Sequence, residues 1–564
     1  MLKKNFLVWS GVSLVGIVLF LSLSSIRAQA PASAALTGQV SSKEEGSMEG
    51  VLVSAKKAGS TITVTVVSDP QGRYRFPAGR LGPGQYSLSA HATGYVVDGT
   101  ASVEITPQKA ATADMQLRKA SVDEVASQLS NSEWFLSFPG TDEQKAAIRG
   151  CTHCHTVERI ARSRHDAAEF EQVMARMGRY TPSSFPNLIQ PQTVGGRVGG
   201  GELSPEQQAR QQENRRRMAE YLSSLNLSKA SQWEYSFKTL PRPTGRDTKV
   251  IITEYDLPKP TNQPHDVVVD KEGLVWYASF GEPILGKLDP KTGKVTHYEW
   301  PVQKPGSIIG VLDLELDRDQ NLWLAATFQA AIFKFDRKAE KFQAFRVPPE
   351  LDGDYREFTF VAPQNSHVDG KVWINDSGTW TQLRLDTATG KFEVFEAFPV
   401  PRPNTYQMAS DSQNNGWFTV FGRENIGRID AKTGKIAIFD VPTPRANPRR
   451  AKMDSQDRLW FAENRASKIG MFDTRTQKFQ EWAAPLPEYY PYDVVSDKNG
   501  EAWAVTEFAN RVLRLDSKTG QFTAYALPQE TNMRRAFVDD SKTPVTFWVG
   551  GTHTASIVKL EPLE

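Results

Sequence analysis

Val494-Val495-Ser496-Asp497-Lys498-Asn499-Gly500-Glu501-Ala502-Trp503 reads as a short apolar strand, a turn built on Asp and Gly, and a second strand ending on Trp. The same unit recurs from Val267 to Trp276 and from Leu314 to Trp323. Trp276, Trp323, Trp373, Trp417, Trp460, Trp503 and Trp548 follow one another at spacings of 47, 50, 44, 43, 43 and 45. After each Trp comes an apolar-basic strand ending in Asp, a turn such as Thr-Gly-Lys, and an aromatic strand. Four short antiparallel strands at this period make a propeller blade, so seven tryptophans predict seven blades over residues 245–564. The stretch Val250 to Leu257 resembles the fourth strand of other units, such as Gly434 to Val441. It is predicted to close the ring against the final Ser556 to Leu560 strand and so hide two sheet edges.

Working outward, the chain divides into four segments. Residues 1–34 carry Lys3 and Lys4, an apolar run from Phe6 to about Leu23 and small residues, which is an export signal. Ala28-Gln29-Ala30 and Ala32-Ser33-Ala34 are the two cleavage boxes; uncut, the run is long enough to anchor the chain in a membrane. A periplasmic or secreted bacterial location is expected, with membrane contact only through an uncleaved anchor. Residues 35–118 alternate like β-strands, with turn clusters at Asp69-Pro70-Gln71-Gly72 and Gly82-Pro83-Gly84. Residues 121–229 turn helical: Thr141 and Gln144 form a capping box, Ser204-Pro205-Glu206 starts a helix, and Met218, Tyr221, Leu222 and Leu225 share one face. The fold class expected is therefore multidomain and mainly β: a β-sandwich, then an all-α domain, then a seven-bladed β-propeller.

Composition is globular, with 39% hydrophobic and 23% charged residues in 564. The net charge is +2, and removal of the signal leaves 64 bases against 65 acids, so no nucleic-acid partner is expected. Arg215-Arg216-Arg217 and Arg449-Arg450 are local basic spots, read as solvated faces.

Both cysteines of the chain lie in Cys151-Thr152-His153-Cys154-His155. Two thiols at this spacing, with a histidine directly after the second, suit addition to the vinyl groups of a haem with His155 on the iron. A redox dithiol needs no such histidine, a structural zinc site needs four ligands, and a Cys151–Cys154 disulfide closes too short a loop to stabilise much. One covalent haem c is the expected cofactor, and with this motif the all-α domain at 121–229 resembles a cytochrome c domain. Met174, Met177 and Met218 are thioether candidates for the second axial position, and His165 is the imidazole alternative. Phe170, Val173, Arg176 and Met177 resemble a run in one subgroup of small cytochromes c, which implies Met177 as the ligand. Cys151, Cys154, His155 and Met177 are thus the expected cofactor-binding set, with His155 and Met177 on the metal.

Two further resemblances concern the β segments. Gly38 and Val40, Gly50-Val51 with Val53, Asp69 through Phe76, Leu81 through Leu88 and Gly94-Tyr95 resemble the carboxypeptidase regulatory-like family of transthyretin-type sandwiches, which implies a binding or spacing module. Leu459-Trp460-Phe461-Ala462-Glu463-Asn464 with Lys468-Ile469-Gly470 resembles the streptogramin (virginiamycin B) lyase family. That family opens a cyclic depsipeptide ester by elimination, using a Pro-His-Gly histidine, two glutamates and Mg2+. Pro264-His265-Asp266 matches the histidine motif, which makes His265 the catalytic candidate. Gln263 and Phe280 stand where the glutamates would be, Glu282 is displaced, and Met533-Arg534-Arg535-Ala536 lacks the histidine of the preceding blade, so Mg2+ is not expected. Glu463, Glu507, Arg423, Asn464 and His553 are further polar candidates for the mouth of the ring.

The haem motif makes electron transfer the expected function. The propeller would then recognise a ligand, substrate or partner, and the redox partner would be a protein or a small-molecule donor. The alternatives are a haem-linked periplasmic oxidoreductase with its substrate in the propeller channel, and a streptogramin B lyase-like C–O lyase. An electron carrier or oxidoreductase is favoured over a lyase.

Overall fold

The computed structural model of the protein describes residues 34–564 apart from 100, 108, 182, 192–203, 353–356 and 397–403. The expected export signal and the glycine-rich stretch at 195–201 lie outside the described residues.

The N-terminal strands form two sheets around one apolar core. In the first, Ala34–Ser42 pairs with Arg73–Pro77 on one side and Met115–Lys119 on the other. In the second, Leu52–Lys57 lies between Ile62–Val67 and Gly84–His91. Alternation sends Tyr74 and Phe76 inward from one strand and Tyr86 and Leu88 inward from another, with Arg73, Arg75, Ser87 and Gln85 facing out.

Six four-stranded antiparallel sheets follow, beginning at Pro264–Val269, Val311–Leu316, Phe358–Ala362, Thr405–Ser410, Pro448–Met453 and Pro491–Ser496. A seventh is built from Phe537–Asp539, Thr546–Gly551, Ser556–Pro562 and the early strand Val250–Asp256. The closing strand pairs Val250 with Pro562 through to Asp256 with Ser556. Its other edge pairs Ile251–Tyr255 with Ile62–Val66 of the sandwich, so one eight-stranded sheet runs through both units and no edge is left at the joint.

The Asp of the repeat has a structural task. In five blades its Oδ2 accepts the indole N–H of the Trp six residues on, at 2.7 Å for Trp276 and Asp270, 3.0 Å for Trp323 and Asp317, 2.9 Å for Trp417 and Asp411, 2.9 Å for Trp460 and Asp454 and 3.0 Å for Trp503 and Asp497. The same carboxylate accepts turn amides, as Asp497 does from Asn499 and Glu501. The turn is thereby pinned to the buried indole that fills the space between blades.

The expectation of an all-α cytochrome c domain is corrected. Among the described residues the helices are six and mostly short: α1 (Val122–Ala126), α2 (Asn131–Ser137), α3 (Asp142–Ile148), α4 (Glu158–Ala161), α5 (Ala167–Met177) and α6 (Pro205–Leu225). Capping boxes start α1, α2, α3, α5 and α6. The apolar cluster of these helices, around Trp134, Phe135, Phe138, Ile148 and Leu222, is completed by Phe508 of the sixth blade and by the Trp233, Tyr235 and Phe237 strap. Residues 121–229 form a helical cap on a mainly β molecule. None of the described helices is long and apolar enough to cross a membrane.

Candidate functional site at the propeller mouth

The innermost strand of each blade faces its neighbours around a central channel. In six blades this strand is bulged where it reaches one end of the channel, between Pro264 and Asp266, Val311 and Asp313, Phe358 and Phe360, Thr405 and Met408, Pro448 and Ala451, and Pro491 and Asp493. A bulge re-aims the side chain it carries. The bulged residues His265, Leu312, Thr359, Tyr406, Arg449 and Tyr492 all line a single cavity of about 1310 Å³. Its other wall comes from the cap: Cys151, His153, Cys154, His155, Met174 and Met177, with Tyr180, Thr181, Ser183, Ser184 and Phe185.

Direct bonds hold the cap on the mouth. The Ser132 amide donates to the Phe508 carbonyl at 2.9 Å, and the Ser132 hydroxyl donates to the Glu488 carbonyl at 2.6 Å. Asn532 Nδ2 donates to the Thr152 carbonyl at 2.8 Å, and His553 Nε2 lies 3.3 Å from the His153 carbonyl. Arg149 lies over the Tyr490 ring, 4.4 Å from its centre, and bonds its hydroxyl. On the far side Gln190 Nε2 donates to the Gly281 carbonyl at 3.2 Å, and Gln263 Nε2 donates to the Ser183 carbonyl at 3.2 Å.

In four of these blades the residue after the bulged one, Asp266, Asp313, Arg450 or Asp493, is absent from the cavity lining and meets the others in the channel. Asp266 receives both terminal nitrogens of Arg450, at 3.0 and 3.1 Å. Arg535 donates to Asp313 at 3.0 Å and to Glu315 at 2.7 Å, and Lys452 also meets Glu315. Asp493 lies 3.8 Å from Arg535 and 3.9 Å from Arg450. Four carboxyls therefore meet three cations, almost all out of solvent. Burial, with Glu315 beside it, pushes Asp313 well above the usual carboxylate range, so its proton brings the group to neutrality. Burial would raise Asp266 too, but Arg450 and His265 overcome it and hold that carboxylate ionised.

Arg449-Arg450, read from sequence as a solvated face, is 6% and 0% exposed. The bulge between Pro448 and Ala451 sends Arg449 to the cavity and Arg450 to the channel, and Arg534 and Arg535, just ahead of the Phe537–Asp539 strand, divide in the same way.

His265 is 2% exposed and places Nδ1 2.7 Å from Asp266 Oδ1, which leaves Nε2 as its other polar atom. Burial pushes its pKa down to about 4 against the pull of Asp266, so the ring is neutral at pH 7. Phe280 packs on it at 4.9 Å between ring centres. Glu282, the displaced acid, is bound to Asn262 at 2.7 Å and Thr261 at 3.3 Å. Of the polar candidates for the mouth, His553 lines the cavity, and Glu507 and Asn464 sit behind Arg449. Glu463 is 0% exposed beside Lys468, and neither it nor Arg423 lines the cavity. Arg449, Arg534, Tyr406 and Tyr492 were not singled out by sequence as site residues, although two Arg-Arg pairs at inner strands are the signal that marks them.

The cap histidines and thiols also have shifted acidities. His153 lines the cavity with part of its surface exposed, and burial with Arg534 nearby lowers its pKa to about 4. His553 falls to about 3 for the same two reasons. Burial, with Cys154 beside it, raises the Cys151 thiol to about 11, so it is protonated and a weak nucleophile at pH 7. His155 Nδ1 lies 2.8 Å from the Thr156 carbonyl. Met177 sits at the end of α5, 38% exposed, and Met174 packs towards the cap core. His165 is held beside Glu169 at 3.6 Å.

Residues 307–561 match the model of the Virginiamycin B lyase family, and residues 35–118 match that of the Carboxypeptidase regulatory-like domain. No curated protein matches the chain. Among solved structures, a virginiamycin B lyase from Staphylococcus aureus is 23% identical over 55% of this chain and 99% of its own, with a TM-score of 0.48. A streptogramin B lyase is 23% identical over 57% of this chain and 100% of its own, with a TM-score of 0.49. The extracellular domain of a putative hybrid two-component system from B. thetaiotaomicron is 15% identical over 54% of this chain and 40% of its own, at a TM-score of 0.43.

The expectation of a covalent haem c, and of electron transfer through it, is corrected accordingly. The two matched models lie on either side of the 151–155 motif. Among the described residues, Cys151, Cys154, His153 and His155 do not come together with one another or with any Asp or Glu as a group that could hold a metal ion. What the sequence and the fold do establish is a carboxypeptidase regulatory-like domain joined to a virginiamycin B lyase-like propeller domain.

Proposed function

We propose that the protein binds a small molecule in the cavity between the propeller mouth and the helical cap. The observation that carries this reading is the convergence of six bulged inner-strand residues on one cavity of about 1310 Å³. An apolar space with a few convergent polar groups is the usual form of a ligand site. Here the apolar walls come from Met174, Met177, Phe185, Phe280, Ile308 and Phe328, and the polar groups are His265, Arg449, Arg534, Tyr406 and His553. Cys151, Cys154, His155 and Met177 take part as wall residues of that site. The export signal read at residues 1–34 supports binding outside the cytoplasm. The test is a thermal-shift screen of apolar ligands on the full chain. A hit should lose its shift when Tyr406 or Phe280 is replaced by Ala, and hits that ignore both substitutions would end the reading.

A second reading rests on the His265–Asp266 pair. A neutral imidazole held by a carboxylate at 2.7 Å, at the wall of a cavity, can take a proton at Nε2 from a carbon beside a carbonyl. The electrons then expel an ester oxygen, which is the elimination class of the lyase family. With Gln263 and Phe280 in place of the two glutamates, no step is routed through Mg2+. The assay is opening of the ester ring of a streptogramin B. Activity abolished in His265→Ala supports this reading, and an intact ester after prolonged incubation with the wild type removes it.

A further inference from the structure

Among the described residues, the floor of the cavity sets two guanidiniums against one carboxylate. Arg449 and Arg534 are 6% and 5% exposed, and the carboxylate between them, Glu507, is 4% exposed. Glu507 Oε2 accepts from Arg449 Nη1 at 2.8 Å and from Asn464 Nδ2 at 3.0 Å, while Oε1 lies 3.9 Å from Arg534 Nη1. Arg534 uses its Nε on the Asn532 side-chain oxygen at 2.5 Å, and the Nε of Arg449 has no acceptor. Both guanidiniums stack on Tyr492, 3.9 and 5.1 Å from its ring centre, and its hydroxyl meets that of Tyr406 at 2.8 Å.

Among the described residues the neighbouring acids are engaged elsewhere or raised, and the arginines draw on Tyr492, whose hydroxyl Arg449 and Arg534 make more acidic against the effect of burial. The Asp266, Asp313, Glu315 and Asp493 carboxyls beneath are taken up by Arg450, Arg535 and Lys452. His153, His265 and His553 are neutral at pH 7, with Arg534 among the causes in each case. Glu357, the other acid on the wall, is raised to about 7 by burial and by Asp376. Two guanidiniums, each almost out of solvent, thus share one carboxylate. An uncompensated buried cation is unfavourable unless something anionic joins it. Guanidinium forks favour an oxyanion, which can take two parallel N–H bonds from each.

Resting on the reading of the cavity as a ligand site, we infer that Arg449 and Arg534 form an anion subsite at its floor, which takes the oxyanion end of a ligand whose remainder is apolar. The carboxylate or sulfonate sits against the two arginines beside Tyr492, and the apolar body lies towards Met174, Met177 and Phe280.

The experiment uses two fluorescent probes of nearly the same shape, 8-anilinonaphthalene-1-sulfonate and the uncharged N-phenyl-1-naphthylamine, titrated into the full chain. The wild type should bind one sulfonate probe per chain at least about tenfold tighter than the neutral one. Arg449→Gln and Arg534→Gln should each weaken the sulfonate probe about tenfold and leave the neutral probe within about twofold. Arg449→Lys, which keeps the charge but loses the fork, should fall between. If either Gln variant fails to fold, the wild-type preference for the sulfonate decides alone. Equal affinities for the two probes overturn the anion subsite and leave the cavity reading standing. Binding of neither probe overturns both.

Discussion

Asp266→Asn is the sharpest perturbation of the propeller. Asp266 holds Arg450 through two bonds of 3.0 and 3.1 Å, and both side chains are 0% exposed. Removing one partner of such a pair leaves a buried charge uncompensated and costs about 3–5 kcal/mol. Two features place this case near the lower end. Asparagine keeps one acceptor oxygen for Arg450, and Asp313, raised well above the carboxylate range by burial, can release its proton and restore neutrality. A loss of about 3 kcal/mol, divided by a urea slope of about 3 kcal/mol/M for a unit this large, lowers the midpoint by about 1 M. Tryptophan fluorescence reports the transition, because Trp276, Trp323, Trp373, Trp417, Trp460, Trp503 and Trp548 all lie in blades. Asp266→Asn combined with Asp313→Asn removes the relief and should cost at least about 1 kcal/mol more than the two single losses together. Asp266→Asn combined with Arg450→Met removes the orphaned cation and should recover most of the loss. A single Asp266→Asn variant whose midpoint stays within about 0.2 M of the wild type would refute the charge-network reasoning.

Three other outcomes follow from the same structure. Burial, with Glu133 nearby, raises Glu530 from 4.5 to about 8, so the folded state keeps a proton that the unfolded state has lost; stability should fall as pH rises from about 4.5 to about 8, and Glu530→Gln should flatten that slope and stabilise the protein at pH 8 by about 2 kcal/mol, read from urea midpoints across the range. Thr253→Pro, in the strand bonded to both Ser556–Pro562 and Ile62–Val67, should cost about 3 kcal/mol and speed amide exchange in both partners, whereas a change confined to one would show that sandwich and propeller fold separately. Phe135→Ala, which removes the ring packed edge-on against Phe508 at 5.4 Å, should loosen the cap by about 3 kcal/mol and expose residues 131–137 to limited proteolysis without shifting the propeller transition.

The blades were legible because their period repeats a local chemistry. An Asp that holds its own turn and the indole six residues on leaves the same mark in five blades. The closing strand was legible for a related reason: Val250 to Leu257 has the composition of the fourth strands it replaces. The cavity was not legible, because its walls come together only when the ring closes. Arg450 finds Asp266 across 184 residues, and without that partner Arg449-Arg450 reads as a solvated face. The bulges that turn His265, Tyr406 and Arg449 towards the mouth depend on register, which composition does not record. The helical stretch was legible as helices and capping boxes but not as a cap. Phe508 and the Trp233–Phe237 strap that complete its core lie outside it in the sequence.

The two thiols provide the most direct test of the central claim. Cys151 and Cys154 are the only cysteines in the chain, and both stand in the cavity wall. Their alkylation by iodoacetamide, followed by mass spectrometry with and without saturating N-phenyl-1-naphthylamine, reads occupancy of the cavity itself. The account predicts free thiols that react slowly, and at least about tenfold more slowly once the probe is bound. Thiols that label at the same rate with the probe bound would contradict it, as would thiols that already carry a covalent group.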